Sequence, residues 1–150
     1  MTSKAAVEGF LAQRTIALVG ASRDPKAFSS GAYKELTEKG YRLILVNPKA
    51  DTVMGQPCYP SLRDLPESVG AALIMVAPAQ AEAVVRDAAA AGIKHVWMQQ
   101  GAESAAAVKF CQENGISEVH GECILMFAQP QKFYHKPHRW LWGMLGKLPK

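Results

Sequence analysis

The chain has 150 residues, enough for one domain with a real core. Apolar residues make up 49% and charged residues 20%, an ordinary soluble-globular balance that argues against a disordered or fibrous chain. The net charge of +4 mildly favours acidic partners. No arginine-rich run or row of aromatics marks a nucleic-acid surface, so none is expected. Three well-separated cysteines, Cys58, Cys111 and Cys123, suit free thiols in a reducing cytoplasm better than a disulfide framework. No apolar run is long enough to span a bilayer, and Glu8 interrupts the only weak leader-like segment.

In chain order, residues Met1 to Arg14 are expected to form a short helix or arm with Val7, Phe10 and Leu11 on its apolar side. Ile16–Val19 reads as a buried strand that stops at Gly20, where the backbone can turn tightly. A helix is expected from near Ser29, with Ser29 and Ser30 as N-caps and Gly40 as its stop. The loop between this strand and helix offers N–H groups, a helix dipole and the hydroxyls of Ser22, Ser29 and Ser30. Together these point to a phosphate of a nucleotide-like ligand. The spacing matches neither G-x-G-x-x-G nor a P-loop, and an ordinary strand-to-helix turn would use the same residues.

A second buried strand, Leu43–Val46, ends at Asn47 and Pro48. Dinucleotide enzymes usually carry Asp or Glu at this strand end to hold a ribose. Here Asn47 is followed by Lys49, which suits a ligand with an extra phosphate on its sugar, or a plain turn with a solvated lysine. The stretch from Asp51 to Ser68 reads as loop, with a short helical piece at Ser61–Leu65 and Tyr59 and Pro60 covering the sheet edge. Ala71 to Pro78 reads as a third strand ended by Pro78, followed by an alanine-rich helix from Gln80 to Ala91. The fourth strand, from Ile93, ends in Gln99, Gln100 and Gly101 before a helix from Ser104 to Asn114. A short fifth strand, Glu118–His120, precedes Cys123. Strict alternation of strand and helix implies a mainly parallel five-stranded sheet with helices on both faces. Ser22, Asn47, Pro78 and Gln99 then fall on the carboxyl edge, where such sheets bind ligands.

The last stretch, Gln131 to Lys150, has Trp140, Leu141, Met144, Leu145 and Leu148 at helical spacing. It reads as a C-terminal helix docked on the domain or on a second copy, with a membrane-surface helix as the alternative. His120, Cys123, His135 and His138 match no zinc spacing, so no metal is expected. No catalytic constellation stands out. Cys123 is the best nucleophile candidate, although a buried inert cysteine fits the sequence better.

Several separated blocks carry a resemblance: Val19–Ser22 with Pro25 and Phe28–Ser30, Gly40–Tyr41 with Leu43–Ala50, Cys58–Leu62 with Asp64–Pro66, Trp97–Ser104, and Cys123. In this order they resemble the small stand-alone CoA-binding proteins and the N-terminal CoA-binding domain of the succinyl-CoA synthetase α subunit. The resemblance covers Thr15 to Cys123 and implies a Rossmann-like, doubly wound α/β fold whose cofactor is coenzyme A or an acyl-CoA. It implies that Val19, Gly20, Ala21 and Ser22 hold CoA phosphates beside Ser29 and Ser30. It sets Asn47, Pro48 and Lys49 near the adenosine and its 3′-phosphate. Pro78 falls on the loop after the third strand, and Met98, Gln99, Gln100 and Gly101 line the cleft. The synthetase's second domain, with its phosphorylated histidine, has no counterpart in these residues, so ligase activity is not expected. Two other readings stay open: an NAD(P)-binding oxidoreductase, and an interaction module acting through the C-terminal segment.

Overall fold

The computed structural model describes residues 4–127. The helix expected in Gln131–Lys150, with His135 and His138, lies outside the described residues. Helix α1 (Lys4–Leu11) leads into strand β1 (Thr15–Val19), helix α2 (Phe28–Glu38) and strand β2 (Arg42–Val46). Strands β3 (Thr52–Val53) and β4 (Gln56–Tyr59) follow, then a 3-10 turn at Leu62–Asp64 and strand β5 (Ala71–Ile74). Helix α3 (Pro78–Ala90), strand β6 (His95–Gln99), helix α4 (Ala105–Glu113) and strand β7 (Ser117–Glu122) complete the alternation before a last 3-10 turn at Ile124–Met126.

The strands form one sheet in the order β3-β4-β2-β1-β5-β6-β7. Every neighbouring pair is parallel except β3 with β4. From β1 the chain winds outward through β2 and β4, and from β5 it winds the other way through β6 and β7. This is a Rossmann-like doubly wound sheet, with its reversal point between β1 and β5.

The sheet has seven strands where five were expected. The additional pair is a tight hairpin inside the segment read as loop. Met54 and Gly55 both have positive φ, 53° and 74°, the geometry of a two-residue turn whose twist matches paired strands. Pro57 sits in the hairpin opposite Thr52, and the prolines around it hid the pattern.

Alternation along the central strands divides the core into two layers. Ala17, Val19, Ala72, Ile74, Val96 and Met98 face α3 and α4 through Ala81, Val85, Ala88, Ala107 and Cys111. Ile16, Leu18, Ala71, Leu73, Trp97 and Val119 face α1 and α2 through Val7, Phe10 and Leu36. The small side chains on α3 let that helix lie close to the sheet. On the other face Trp97 fills the space between sheet and α1, edge-on to Phe10 at 5.4 Å between ring centres. Its Nε1 donates to the Glu122 carbonyl at 3.0 Å, so the one polar atom of the ring is satisfied.

Trp97 is fully buried and carries both contacts, so Trp97→Ala should cost about 3–5 kcal/mol of stability. Denaturant unfolding measures it; a loss under about 1 kcal/mol would contradict this account of the core.

Candidate functional site

The carboxyl edge of the sheet carries two clefts that meet at the reversal point. One, of about 520 Å³, is lined by Gly20, Ser22, Phe28, Ser29, Gln99, Gln100, Gly101 and Cys123. The other, of about 470 Å³, is lined by Val19, Gly20, Asn47, Pro48, Lys49, Pro60, Ser61 and Gln80. Gly20, Met75 and Val76 belong to both and form the saddle between them. Met75 and Val76, which were read as strand, are loop residues beyond β5.

Gly20 makes the saddle thin. Its φ is +99°, and a Cβ built on it would run into the Met75 carbonyl. The Met75 N–H donates to the Val19 carbonyl at 2.8 Å, holding the two strand ends together. The N–H groups of Gly20 and Ala21 both donate to the Val46 carbonyl, at 3.0 and 3.3 Å. They therefore close the β1–β2 edge and are not offered to a ligand.

The donors left for an anion lie one turn further on. The Ser22 N–H donates to Ser29 Oγ at 3.2 Å, which leaves the Ser29 hydroxyl proton for another acceptor. Ser22 Oγ accepts from the Asp24 N–H at 3.0 Å and keeps its own proton in the same way. Among the described residues the N–H groups of Phe28 and Ser29, in the first turn of α2, have no acceptor. Two hydroxyls and two amides thus converge at the positive end of a helix.

Some of the expected site residues do other work. Helix α2 starts at Phe28 behind Ala27, with no side-chain cap, so Ser29 and Ser30 are first-turn residues and not N-caps. Ser30 Oγ donates to the Asp24 carbonyl at 2.7 Å and pins the loop. Ala21 is fully buried in the α1–α2 layer and Met98 in the α3–α4 layer, so neither reaches a cleft. Pro78 is the first residue of α3, where a missing N–H costs nothing, and it lines neither cleft. Phe28, 53% exposed, lines the first cleft and was not singled out from the sequence.

Asn47 is a brace. Its Nδ2 donates to the Ala21 carbonyl at 2.6 Å, and its Oδ1 accepts the Lys49 N–H at 2.8 Å. Both ends of the amide are used within the protein, and the turn they make presents Lys49 at the rim of the second cleft. Asp87 lines that cleft too, but Arg63 Nε lies 3.2 Å from its carboxylate and offsets the charge.

At the far end of the first cleft, β7 carries an extra residue. The register with β6 runs Met98 to His120 and then Gln99 to Glu122, bypassing Gly121 at φ 76°. This bulge re-aims the chain, and Cys123 comes to line the cleft. The other two thiols stand apart. Burial raises the Cys58 thiol pKa. Burial, with the nearby Glu118 carboxylate, pushes Cys111 from 9.0 up to about 12. Among the described residues no group of three or more His, Cys, Asp or Glu could hold a metal ion. Nor, among them, is any helix long and apolar enough to cross a membrane.

This geometry sets outcomes that stability and labelling experiments can check. Asn47→Ala should cost about 1–3 kcal/mol in denaturant unfolding, because it strands the Ala21 carbonyl. Asn47→Asp should do no better, since a carboxylate would face that carbonyl. Native alkylation at about pH 8 should modify Cys123 and spare Cys111. Between pH 9 and about 12 the unfolded Cys111 thiol ionises while the folded one stays protonated, so stability falls as pH rises through that window. Cys111→Ala should flatten that loss, and an unchanged slope would contradict the assignment.

Known proteins are similar to this chain in sequence and in fold. The chain is 32% identical over 83 residues to an ADP-forming acetate–CoA ligase II of Archaeoglobus fulgidus, an alignment covering 54% of this chain and 12% of the ligase. It thus spans a small part of that enzyme's length. It is 27% identical over 123 residues to the uncharacterized protein YneT of Bacillus subtilis, covering 81% of this chain and 91% of YneT. A solved structure of a hypothetical protein from Pyrococcus horikoshii superposes with a TM-score of 0.78 at 33% identity, over 83% of this chain and 88% of that one. The sequence model of the family described as CoA binding domain matches residues 14–129, and the chain belongs to that family.

Proposed function

We propose that this protein binds coenzyme A, or an acyl-CoA, across the reversal point of its sheet as one CoA-binding unit. The observation that carries the reading is the pair of clefts joined at Gly20, Met75 and Val76. An elongated ligand, charged at its middle and at one end, matches them in chemistry. The pyrophosphate lies over the saddle against the first turn of α2, where the Phe28 and Ser29 amides and the Ser22 and Ser29 hydroxyls converge. The adenosine occupies the second cleft, with Lys49 toward its 3′-phosphate. The pantetheine arm runs along the first cleft past Gln99, Gln100 and Gly101. Membership of the CoA binding domain family supports the ligand class. Three free cysteines support a reducing, cytoplasmic setting.

The residues of this edge suit binding more than turnover. No acid–base pair converges on the saddle among the described residues. An NAD(P) reading lacks both the glycine fingerprint after β1 and an acidic residue after β2.

Calorimetric titration with CoA, 3′-dephospho-CoA and NAD tests the proposal. CoA should bind most tightly. Ser22→Ala combined with Lys49→Ala should weaken it by about 1.5–3 kcal/mol per lost charge-assisted contact. Equal affinity for CoA and 3′-dephospho-CoA would remove Lys49 from the 3′-phosphate, and tighter binding of NAD would overturn the ligand.

A further inference from the structure

We propose that Cys123 is a covalent site that forms a mixed disulfide with coenzyme A when the ligand arrives as its disulfide. The inference rests on the reading of the first cleft as the pantetheine channel. Two independent features of that cleft support it: the position of the thiol, and a largely buried glutamine with an unused donor on the cleft wall.

Cys123 lines the same cleft as Ser22 and Ser29. It is held by bonds to both of its neighbours in sequence. The Glu122 carbonyl accepts from Trp97 Nε1 at 3.0 Å and from the Gln100 N–H at 3.2 Å. The Ile124 N–H donates to Gln99 Oε1 at 3.1 Å. The sulfur therefore sits on a fixed backbone and not on a loose loop.

Gln99 is the second feature. It is 6% exposed, and it lines the same cleft. Its oxygen must face the Ile124 N–H, because that partner is a donor, so its Nε2 is the end left for the cleft. Among the described residues Nε2 has no acceptor. An amide N–H left open on the cleft wall is placed to donate to a carbonyl oxygen of a ligand. A pantetheine arm has amide carbonyls along its length and sulfur at its end. The cleft meets the first with Gln99 and the second with Cys123.

The step is thiol–disulfide exchange. The Cys123 thiolate sulfur attacks one sulfur of CoA disulfide. A new bond forms between Cys123 Sγ and that CoA sulfur, and the CoA–CoA disulfide bond breaks. The second CoA leaves as a thiolate and takes up a proton. One cysteine is oxidised and one CoA is reduced, so electrons balance without another reagent. A reducing thiol reverses the step.

The full chain is incubated with CoA disulfide and weighed intact by mass spectrometry, with oxidised glutathione in parallel. The expected result is one CoA adduct per chain, released by dithiothreitol, lost in Cys123→Ser and retained in Cys58→Ser and Cys111→Ser. CoA disulfide should react at least about tenfold faster than oxidised glutathione, since only the former uses the cleft. Gln99→Glu keeps an acceptor for Ile124 and removes the donors, so it should slow the CoA adduct about tenfold more than it slows the glutathione adduct. Equal rates for the two disulfides in the unaltered protein would reduce Cys123 to an accessible thiol and overturn the proposal. So would an adduct that survives Cys123→Ser. Calorimetry of Cys123→Ser with reduced CoA separates the two failures. Binding without any wild-type adduct overturns the covalent site alone, whereas no binding overturns the CoA reading and this proposal with it.

Discussion

The carboxyl edge depends on one close approach, that of the Gly20 backbone to the Met75 carbonyl. A side chain at Gly20 would collide there, and its φ of +99° is one that L-residues rarely adopt. Because nothing protrudes, β1 and β5 can end side by side, tied by the Val19–Met75 bond. The two clefts then open into each other over a bare backbone. In a doubly wound sheet the reversal of strand order already separates the crossovers at this point. The glycine turns that separation into a continuous trough.

The same turn shows how few backbone donors a strand-to-helix loop has to spare. Gly20 and Ala21 give their N–H groups to Val46 and so fasten β1 to β2 beyond the last paired residues. Ser22 gives its N–H to Ser29. Had these three amides faced the ligand, the β1–β2 edge would have frayed where the second cleft needs a firm wall. The amides that stay open are those of the first turn of α2, by the geometry of any helix start. Asn47 completes the fastening from the other side by holding the Ala21 carbonyl.

Much of this was legible in the sequence. Parallel strands buried on both faces read as short apolar runs, and the strand and helix alternation fixed the winding and the edge on which candidate residues gather. The misses share a cause: side-chain type does not reveal which atom a group is bonded to. Ser29 and Ser30 look like caps, yet the helix starts one residue earlier and Ser30 turns inward to Asp24. Asn47 looks like a ribose contact, yet both ends of its amide are used locally. Met98 sits beside Gln99 in sequence, but strand alternation sends it into the core. The hairpin at Thr52–Tyr59 escaped because its turn signal is a methionine before glycine, and because Pro57 is tolerated in so short a pair.

The two clefts differ in what they can discriminate. The second has Lys49 at an exposed rim and Asp87 offset by Arg63, a setting in which water and salt compete with every contact. Charge placed there can attract an anion, but it fixes position weakly. The first cleft has fewer charges and better-anchored groups: Gln99 is held through Ile124, and Cys123 lies between two residues tied to β6 and the turn after it. Its hydrogen-bonding groups are pre-set by packing, so a ligand that matches them loses little to reorganisation. In the proposed binding mode, selectivity for the ligand's charged end therefore belongs to the β2 side of the sheet, and selectivity for its amide and sulfur end to the β6–β7 side. The bulge at Gly121 links the two demands, because it lets a strand that ends the sheet also turn a sulfur toward the cleft.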